Sequence, residues 1–275
     1  MIQPNDNSTR PYLDDGFERY IVCDTETTGF YPAAGDKMVE FCFYEIDRYG
    51  NHIDNLHSLI NPERPIPQVV INIHGIDNQK VAGAPTWSQF HEKMTEFLKK
   101  GGLPKEKQCI IIHNAAFDVG FIETQMQQEG YDRFTLSDYA TIIDSVHVAK
   151  KLFPSQKVNL DELCRKMQVD NSSRTLHGAL LDCQLLADVY VRLCYSLDEK
   201  QRQRLAQVDQ FRYDGPLPTA QVPVSDDELQ RHREIYTGLQ EFEAGRGEHQ
   251  QNSYDEEEND DFLQAADDGY GMQPN

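Results

Sequence analysis

Short runs of apolar and β-branched residues alternate along the chain with segments in which apolar residues recur every three or four positions. Runs of the first kind predict β-strands at residues 20–24, 38–46, 53–60 and 109–113. The helical spacing predicts α-helices at residues 86–99, 117–128, 144–151, 159–167 and 177–195. Strands that come first and then alternate with helices indicate an α/β fold with a mixed sheet.

The two ends of the chain lack this pattern. Residues 1–17 are polar and predict a disordered leader, whereas residues 18–197 hold the elements above and predict one domain. Residues 198–224 include the breaker sequence DGPLP and predict a linker. Residues 225–242 begin with a capping-box pattern and predict a helix with an apolar stripe. Two partners stay open for this stripe, namely the domain itself and another protein.

Charge changes the picture of the C-terminal end. The 275 residues include 46 Asp and Glu against 26 Lys and Arg, a formal net charge of −20. Half of this excess lies in residues 241–275, which contain 11 acidic residues and one basic residue. Residues 243–275 therefore predict an acidic disordered tail, because such a composition buries too little apolar surface to offset its ordering entropy. The acidic balance also argues against a protein that grips long duplex DNA with its own basic surface.

The cysteines and the apolar runs bear on the cellular compartment. Six cysteines are scattered without a CxxC pair, which is typical of buried free thiols in a reducing compartment rather than of a zinc site or a disulfide framework. No run approaches the roughly 20 apolar residues that span a bilayer. The first residues lack the basic and apolar segments of a secretory signal. We therefore expect a cytoplasmic protein with no membrane partner.

Acidic side chains cluster where the predicted elements begin and end. Asp24 and Glu26 stand two residues apart at the end of the first strand, so both project to one face. Asp118 lies in the first turn of the helix that follows the fourth strand. His177 and Asp182 lie about one and a half turns apart at the start of the last long helix. Each feature alone has a plain structural explanation, such as a solvated acid or an acid that stabilises a helix dipole.

Together, the four carboxylates and the histidine predict a metal-dependent hydrolase. Oxygen ligands without thiols suit Mg²⁺ or Mn²⁺. Two divalent cations roughly 3.5–4 Å apart would offset the repulsion between the carboxylates and stabilise both oxygens of an in-line phosphoryl displacement. Histidine exchanges protons most readily near neutral pH, which suits His177 to the role of general base.

The order of these segments resembles that in a known family. Three segments are similar, in sequence order, to the motifs of DnaQ-like DEDDh 3′–5′ exonucleases: DTETTG at residues 24–29, HNAAFD at 113–118 and HGALLD at 177–182. Further stretches are similar to the proofreading epsilon subunits of bacterial DNA polymerase III: residues 73–76, 159–164 and 174–182. The resemblance covers about residues 19–193.

The resemblance implies an RNase H-like fold, with a mixed five-stranded sheet flanked by helices and a flexible C-terminal extension. It implies that two Mg²⁺ or Mn²⁺ ions are bound by the carboxylates of Asp24, Glu26, Asp118 and Asp182. It assigns His177 as the general base. It implies that the substrate is contacted by Asp24, Thr25, Glu26, His74 and Asp182. The reaction would release 3′-terminal nucleotides as 5′-monophosphates from single-stranded or frayed DNA ends.

The resemblance also implies partners. The C-terminal segment is weakly similar to the end that binds the polymerase III catalytic (alpha) subunit, and residues 207–213 are loosely similar to a sliding-clamp-binding peptide. A theta-like small subunit is a further expected partner, and the location would be the nucleoid-associated replisome. Asp144 is either a residue near the site or a helix cap. Two other functions stay open: a free-standing DEDDh exonuclease that trims RNA or single-stranded DNA, and a non-catalytic polymerase adaptor.

Overall fold

A computed structural model describes residues 12–197 of the chain. Residues 1–11 and 198–275 lie outside the described residues. They include the first part of the predicted leader, the predicted linker and clamp-binding peptide, the predicted C-terminal helix and the predicted acidic tail. Residues 12–17, which composition assigns to the leader, pack on the domain. The Leu13 side chain is fully buried, and its backbone N–H donates to the carbonyl of Arg48 at 2.8 Å. The packed chain therefore begins earlier than composition alone suggests.

Five strands form one mixed sheet, as predicted. β1 (Arg19–Thr27), β2 (Met38–Ile46) and β3 (His52–Leu59) pair antiparallel in succession. β4 (Gln108–Ile112) pairs parallel with β1, and β5 (Thr141–Asp144) pairs parallel with β4. The order across the sheet is β3-β2-β1-β4-β5. β1 is thus the central strand, and its last residues meet the ends of β4 at one edge of the sheet.

The helices surround this sheet. They are α1 (Gln68–His74), α2 (Asn78–Val81), α3 (Trp87–Lys99), α4 (Ala115–Gln128), α5 (Ser145–Leu152), α6 (Leu160–Met167) and α7 (Ala179–Ser196). The last five of these agree with the predicted helices to within two residues at each end. The sequence pattern does not reveal α1, α2 or β5, because elements of four to seven residues are too short to show a period.

Apolar layers cover both faces of the sheet and fix its register. Successive residues of β1 point to opposite faces, so Tyr20 and Val22 pack with α7, whereas Ile21 and Cys23 pack with α3 and α4. A slip of one residue would exchange the two faces, and burial on both sides opposes such a slip. The side chains at the end of β1 therefore have fixed directions.

The cysteines are buried free thiols, as predicted. Burial raises the pKa of Cys23, Cys109 and Cys183 well above the ordinary value of a thiol, so these groups stay protonated near neutral pH. Among residues 12–197, no helix has both the length and the apolar character that crossing a membrane requires.

Candidate active site

Asp24 and Glu26 lie on the face of β1 that α7 covers. They continue the alternation of Tyr20 and Val22, which pack in the core beneath α7. The sequence predicts that both acids stand at the end of the strand. β1 extends to Thr27, so they lie inside it instead. Glu26 is only 9% exposed. The strand ladder therefore holds both carboxylates in fixed directions.

Asp118 approaches the same place from α4, on the other side of the sheet. It lies in the first turn of that helix and is 3% exposed. The hydroxyl of Thr25, which stands between the two acids of β1 and points to the opposite face, donates to Oδ1 of Asp118 at 2.7 Å. The sequence predicts Thr25 as a substrate contact, and the structure shows that its side chain positions a carboxylate.

The turn before α4 depends on Asp144. Asn114 adopts the left-handed conformation, with φ of 66°, and its backbone N–H donates to Oδ1 of Asp144 at 3.2 Å. The same oxygen accepts the backbone N–H of Val146 at 2.9 Å and so caps α5. Asp144 is therefore a helix cap, and the same carboxylate holds the turn that leads to Asp118.

Asp182 lies in the first turn of α7, and His177 lies just before the helix. The sequence predicts a helix that begins at His177. α7 begins at Ala179 instead, so His177 belongs to the preceding loop. The backbone N–H of Ala179 donates to Oε2 of Glu40 at 2.9 Å, so a carboxylate of β2 fixes the helix start. The backbone N–H of His177 donates to the carbonyl of Ile73 at 3.1 Å. Two distant segments thus hold this part of the site.

The loop that carries His177 also packs against Gly75. Gly75 follows α1 and has φ of +70°, a conformation that side chains rarely adopt. A Cβ atom at this position would come within 2.6 Å of Cδ1 of Leu176. The backbone conformation therefore favours glycine here, and the segment around His74 acts as a packing surface for the loop.

Arg174 connects the polar groups around Asp182. Its Nε and Nη2 donate to the two carboxylate oxygens of Asp182 at 2.6 and 2.8 Å, a forked pair of charge-assisted hydrogen bonds. Nη2 also lies 2.9 Å from Nδ1 of His177, and Nη1 donates to Oδ1 of Asp161 at 2.8 Å. The Arg174 side chain is 7% exposed. Asp182 therefore lies in a nearly dry ion pair.

The carboxylates of β1 and the carboxylate of Asp182 have different electrostatic surroundings. Burial raises the pKa of Asp24 well above its ordinary value, and the charges of Asp118, Asp182 and Glu26 raise it further. Burial and the neighbouring charge of Asp182 likewise raise the pKa of Glu26. Burial alone would raise the pKa of Asp182 as well, but the hydrogen bonds and charges of Arg174 and His177 outweigh burial and lower that pKa. Asp24 and Glu26 thus resist ionisation, whereas Asp182 stays ionised.

The residues at this place fit divalent cations. Glu26, His177 and Asp182 each offer one ligand atom, and these three atoms lie within 4.8 Å of one another. Asp24 and Asp118 are charged neighbours in the same cluster. Divalent cations would offset the mutual repulsion of buried carboxylates, and oxygen-rich sets suit Mg²⁺ or Mn²⁺. The structure therefore brings Glu26, His177 and Asp182 within reach of one ion and places Asp24 and Asp118 as electrostatic neighbours of this group.

His74 lies at the end of α1 and is 6% exposed. Its Nδ1 accepts the backbone N–H of Ile76 at 2.9 Å, so the proton of the neutral ring is on Nε2. Burial lowers the pKa of His74 to about 4, against a smaller opposing effect of the Thr27 carbonyl. Nε2 makes no hydrogen bond of ordinary geometry within residues 12–197. Apart from the Thr27 carbonyl, this buried N–H meets no acceptor among residues 12–197, which is compatible with the predicted substrate contact.

Sequence reasoning misses the residues that hold the site together. Arg174 carries no signal of its own, because it lies in a loop without a period, inside a stretch that resembles the epsilon subunits only as a whole. Glu40 does carry a signal, since it is an acid within the apolar run 38–46, and buried acids are rare unless they are bonded. The hydrogen bond between Thr25 and Asp118 could not be predicted, because it depends on how α4 packs on β1.

Comparison with known proteins agrees with this geometry. The RNase_T family model, described as exonuclease, matches residues 21–190. The chain belongs to the RNase_T exonuclease family. The matched range begins in β1 and ends in α7, so it includes the acids of the strand, Asp118 and the loop of His177.

Relatives within this family narrow the comparison. The DNA polymerase III subunit epsilon of Rickettsia felis is 33% identical over 80% of this chain and 96% of its own length. The subunit of the same name from Escherichia coli is 34% identical over 66% of this chain and 73% of its own. The predicted 3′–5′ exonuclease of the proofreading epsilon type is thereby confirmed. Neither the free-standing trimming enzyme nor the non-catalytic adaptor is favoured.

Solved structures confirm the RNase H-like fold. The cell-death related nuclease 4 is similar with a TM-score of 0.56 and 15% identity, over 66% of this chain and 65% of that chain. Exonuclease I is similar with a TM-score of 0.55 and 18% identity, over 68% of this chain and 43% of that chain. At such identities the similarity concerns the fold alone.

Proposed function

We propose that this exonuclease removes nucleotides from the 3′ end of a DNA strand at a replicative polymerase, with two Mg²⁺ or Mn²⁺ ions as cofactors. The observation that carries the proposal is the convergence of buried acids from β1, α4 and α7 with the loop of His177. These elements come from distant parts of the chain. Burying acids where they meet is energetically costly and does not help the apolar layers to pack, so the acids point to a function.

The proposed ligands of the two ions are Asp24, Glu26, Asp118 and Asp182. When bound, the ions supply positive charge that stabilises the attacking and leaving oxygens of the displacement. The chain prepares this site in advance. The ladder of β1 fixes two carboxylates, the Thr25 hydroxyl orients Asp118, and the Glu40 carboxylate fixes the start of α7. Little of the backbone therefore has to move before the reaction.

The proposed general base is His177, which removes a proton from the attacking water. Its side chain is 39% exposed, so water reaches the ring. Its backbone is held by the carbonyl of Ile73, which limits the positions that the imidazole can take. A positioned histidine contributes about 10²–10⁴-fold to such reactions.

The proposed contacts to the terminal nucleotide are Asp24, Thr25, Glu26, His74 and Asp182. The proposed contact of His74 is supported by its buried Nε2–H. No acceptor among residues 12–197 forms a hydrogen bond of ordinary geometry with this donor. A neutral donor in a buried place favours a neutral or anionic acceptor such as a sugar hydroxyl or a phosphate oxygen. We propose a 5′-monophosphate as the product.

The names of the relatives, which are subunits of DNA polymerase III, support a polymerase as partner, and the finer partners below rest on the sequence resemblance. We propose that residues 225–242 bind the catalytic (alpha) subunit and that residues 207–213 bind a sliding clamp. A theta-like small subunit and a cytoplasmic, nucleoid-associated location complete the proposal. If the polymerase holds the duplex and a frayed 3′ end enters the nuclease, a chain of net charge −20 needs no basic DNA-binding surface.

The reaction is tested with the full chain, Mg²⁺ and a primer labelled near its 5′ end, annealed with either a matched or a mismatched 3′ terminus. We expect shortening from the 3′ end one nucleotide at a time, release of 5′-monophosphates, faster digestion of the mismatched end and complete inhibition by EDTA. Internal cleavage, or digestion that survives EDTA, would contradict the proposal.

The polymerase part is tested separately. The full chain and a chain that ends at residue 216 are each mixed with the polymerase III catalytic subunit and recovered by affinity capture. We expect binding of the full chain and loss of binding for the shortened one. Failure of the full chain to bind would contradict the partner while leaving the nuclease reaction intact.

A further inference from the structure

Arg174 is placed where it can act on two residues of the proposed site at once. Nε and Nη2 donate to both oxygens of Asp182, at 2.6 and 2.8 Å, and Nη2 reaches Nδ1 of His177 at 2.9 Å. The remaining arm, Nη1, donates to Asp161 at 2.8 Å. One guanidinium thus joins a proposed ligand, the proposed base and an acid outside the site.

The forked pair restricts what else Asp182 can bind. Both of its oxygens accept short charge-assisted hydrogen bonds, and the side chains of Arg174 and Asp182 are 7% and 6% exposed. A divalent cation on either oxygen would bring two more positive charges against the guanidinium. Like charges repel strongly when little water screens them. Arg174 and a divalent cation therefore compete for the same carboxylate.

The contact with His177 has a second consequence. A guanidinium only donates hydrogen bonds, so Nδ1 of His177 must be the acceptor. A neutral imidazole has a single ring lone pair, and here that lone pair is on Nδ1. Arg174 therefore occupies Nδ1 of His177, which also lies 3.5 Å from Oδ2 of Asp182.

Asp161 offers the guanidinium a place outside the site. It lies in the first turn of α6, and its side chain is 52% exposed. Because Nη1 already bonds to Asp161, Arg174 can leave Asp182 and still keep a charged partner.

We propose that Arg174 competes with the catalytic cations for Asp182. Without a cation, Arg174 holds Asp182 and masks the base His177. A divalent cation at Asp182 displaces Arg174 toward Asp161. The proposal rests on the proposed function, because it takes Asp182 as a ligand and His177 as the base. It makes the base available only when the cation is in place. Arg174 is thus a positioning residue, and it takes no part in the reaction itself.

The first test is calorimetric titration of the full chain with Mn²⁺ alone, after removal of metals with EDTA. We expect Arg174→Gln to bind Mn²⁺ about tenfold more tightly, since the competing charge is gone. We expect Asp161→Asn to bind about twofold more weakly, because the displaced guanidinium loses a partner. Arg165→Gln is the matched control, as this exposed arginine bonds to Glu162 on the surface. Equal or weaker binding by Arg174→Gln would overturn the proposal.

The second test compares thermal unfolding in EDTA and in saturating Mn²⁺. In EDTA, Arg174→Gln should lower the Tm by roughly 10 °C, because a buried acid loses its cation. Saturating Mn²⁺ should close most of this gap, since the ion replaces the missing charge. An arginine with a merely structural role would leave the same gap in both conditions, and that result would overturn the proposal.

Two further measurements keep the outcome clear. If Arg174→Gln does not fold, Arg174→Lys keeps the charge without the fork and should show a smaller gain in Mn²⁺ affinity, whereas unchanged affinity would count against competition.

Nitrogen NMR of His177 in EDTA should find the ring proton on Nε2, and a proton on Nδ1 would refute the masking. Digestion of DNA by the wild-type chain is scored separately, so failure of the proposed function is not confused with failure of this inference.

Discussion

The active site has two halves that handle negative charge in different ways. In the strand half, formed by Asp24, Glu26 and Asp118, the carboxylates are electrostatic neighbours, and the pKa values of Asp24 and Glu26 are raised by burial and by neighbouring acids. In the helix half, formed by Asp182, His177 and Arg174, a guanidinium pairs with the carboxylate and lowers its pKa in spite of burial.

The contrast shows two ways in which one fold can keep a buried acidic site stable. The strand half limits its charge by holding protons, whereas the helix half limits its charge by an internal ion pair. A divalent cation would replace protons in the first half and an arginine in the second. The two halves should therefore respond differently to mutation, to pH and to metal, and the following experiments test that difference.

Loss of a ligand in the strand half should have the largest effect. Asp24→Ala should lower the exonuclease rate at least about 10³-fold, because the cations lose a ligand and with it much of the stabilisation of the transition state. The measurement is digestion of a short labelled oligonucleotide in Mg²⁺. Asp170→Asn is the control, since this acid is exposed and bonds to its own loop at Ser172. A near-normal rate for Asp24→Ala would exclude it as a ligand.

Loss of the base in the helix half should have a smaller effect. His177→Ala should lower the rate about 10²-fold, because water then loses its proton without a positioned acceptor. Mn²⁺ affinity, measured by calorimetry, should stay within a few-fold of wild type, as the carboxylates remain. His52→Ala, on the exposed edge strand β3, serves as the control. An unchanged rate across the pH range would rule out His177 as the base.

Loss of a positioning group should have a smaller effect again. Thr25→Val removes the hydroxyl that donates to Asp118 at 2.7 Å and should lower the rate about tenfold. Thr25→Ser restores the donor and should recover most of the rate. Thr95→Val is the control, since the Thr95 hydroxyl bonds within α3 at the surface. Equal rates for the Val and Ser variants would show that the hydrogen bond has no role in catalysis.

The pH dependence of stability should separate the halves by a few degrees of Tm. Because the pKa of Asp24 is raised in the folded state, ionisation of this acid disfavours folding as the pH rises through that pKa. In EDTA, Asp24→Asn should therefore melt above wild type at pH 8. The difference should vanish as the pH falls toward the ordinary pKa of an aspartate, about 3.9. A difference that is independent of pH would contradict the raised pKa.

Much of the fold follows from the sequence pattern. The strands 38–46 and 109–113 and the five longer helices are visible because burial imposes a clear period on them. α1, α2 and β5 are too short to show one. The true extent of β1 could not be read from the sequence, because its last residues are polar and break the apolar pattern that marks a strand.

The site could be predicted only in part. Its five acid and histidine positions follow motif spacing, and their meeting point follows from the order of the strands. The helix start at Ala179, which leaves His177 in a loop, depends on a hydrogen bond to Glu40 in a strand 139 positions earlier. The fork of Arg174 likewise depends on how a loop folds back on α7. Contacts of this kind are set by tertiary packing, on which local spacing carries no information.

The most direct test of the account is a crystal of the full chain with Mn²⁺ and a short single-stranded oligonucleotide, with the ions located by anomalous scattering. The account predicts two peaks roughly 4 Å apart, bounded by Asp24, Glu26, Asp118 and Asp182, beside the 3′ end of the strand and with Arg174 turned toward Asp161. Ions bound elsewhere, or a 3′ end distant from these carboxylates, would contradict it.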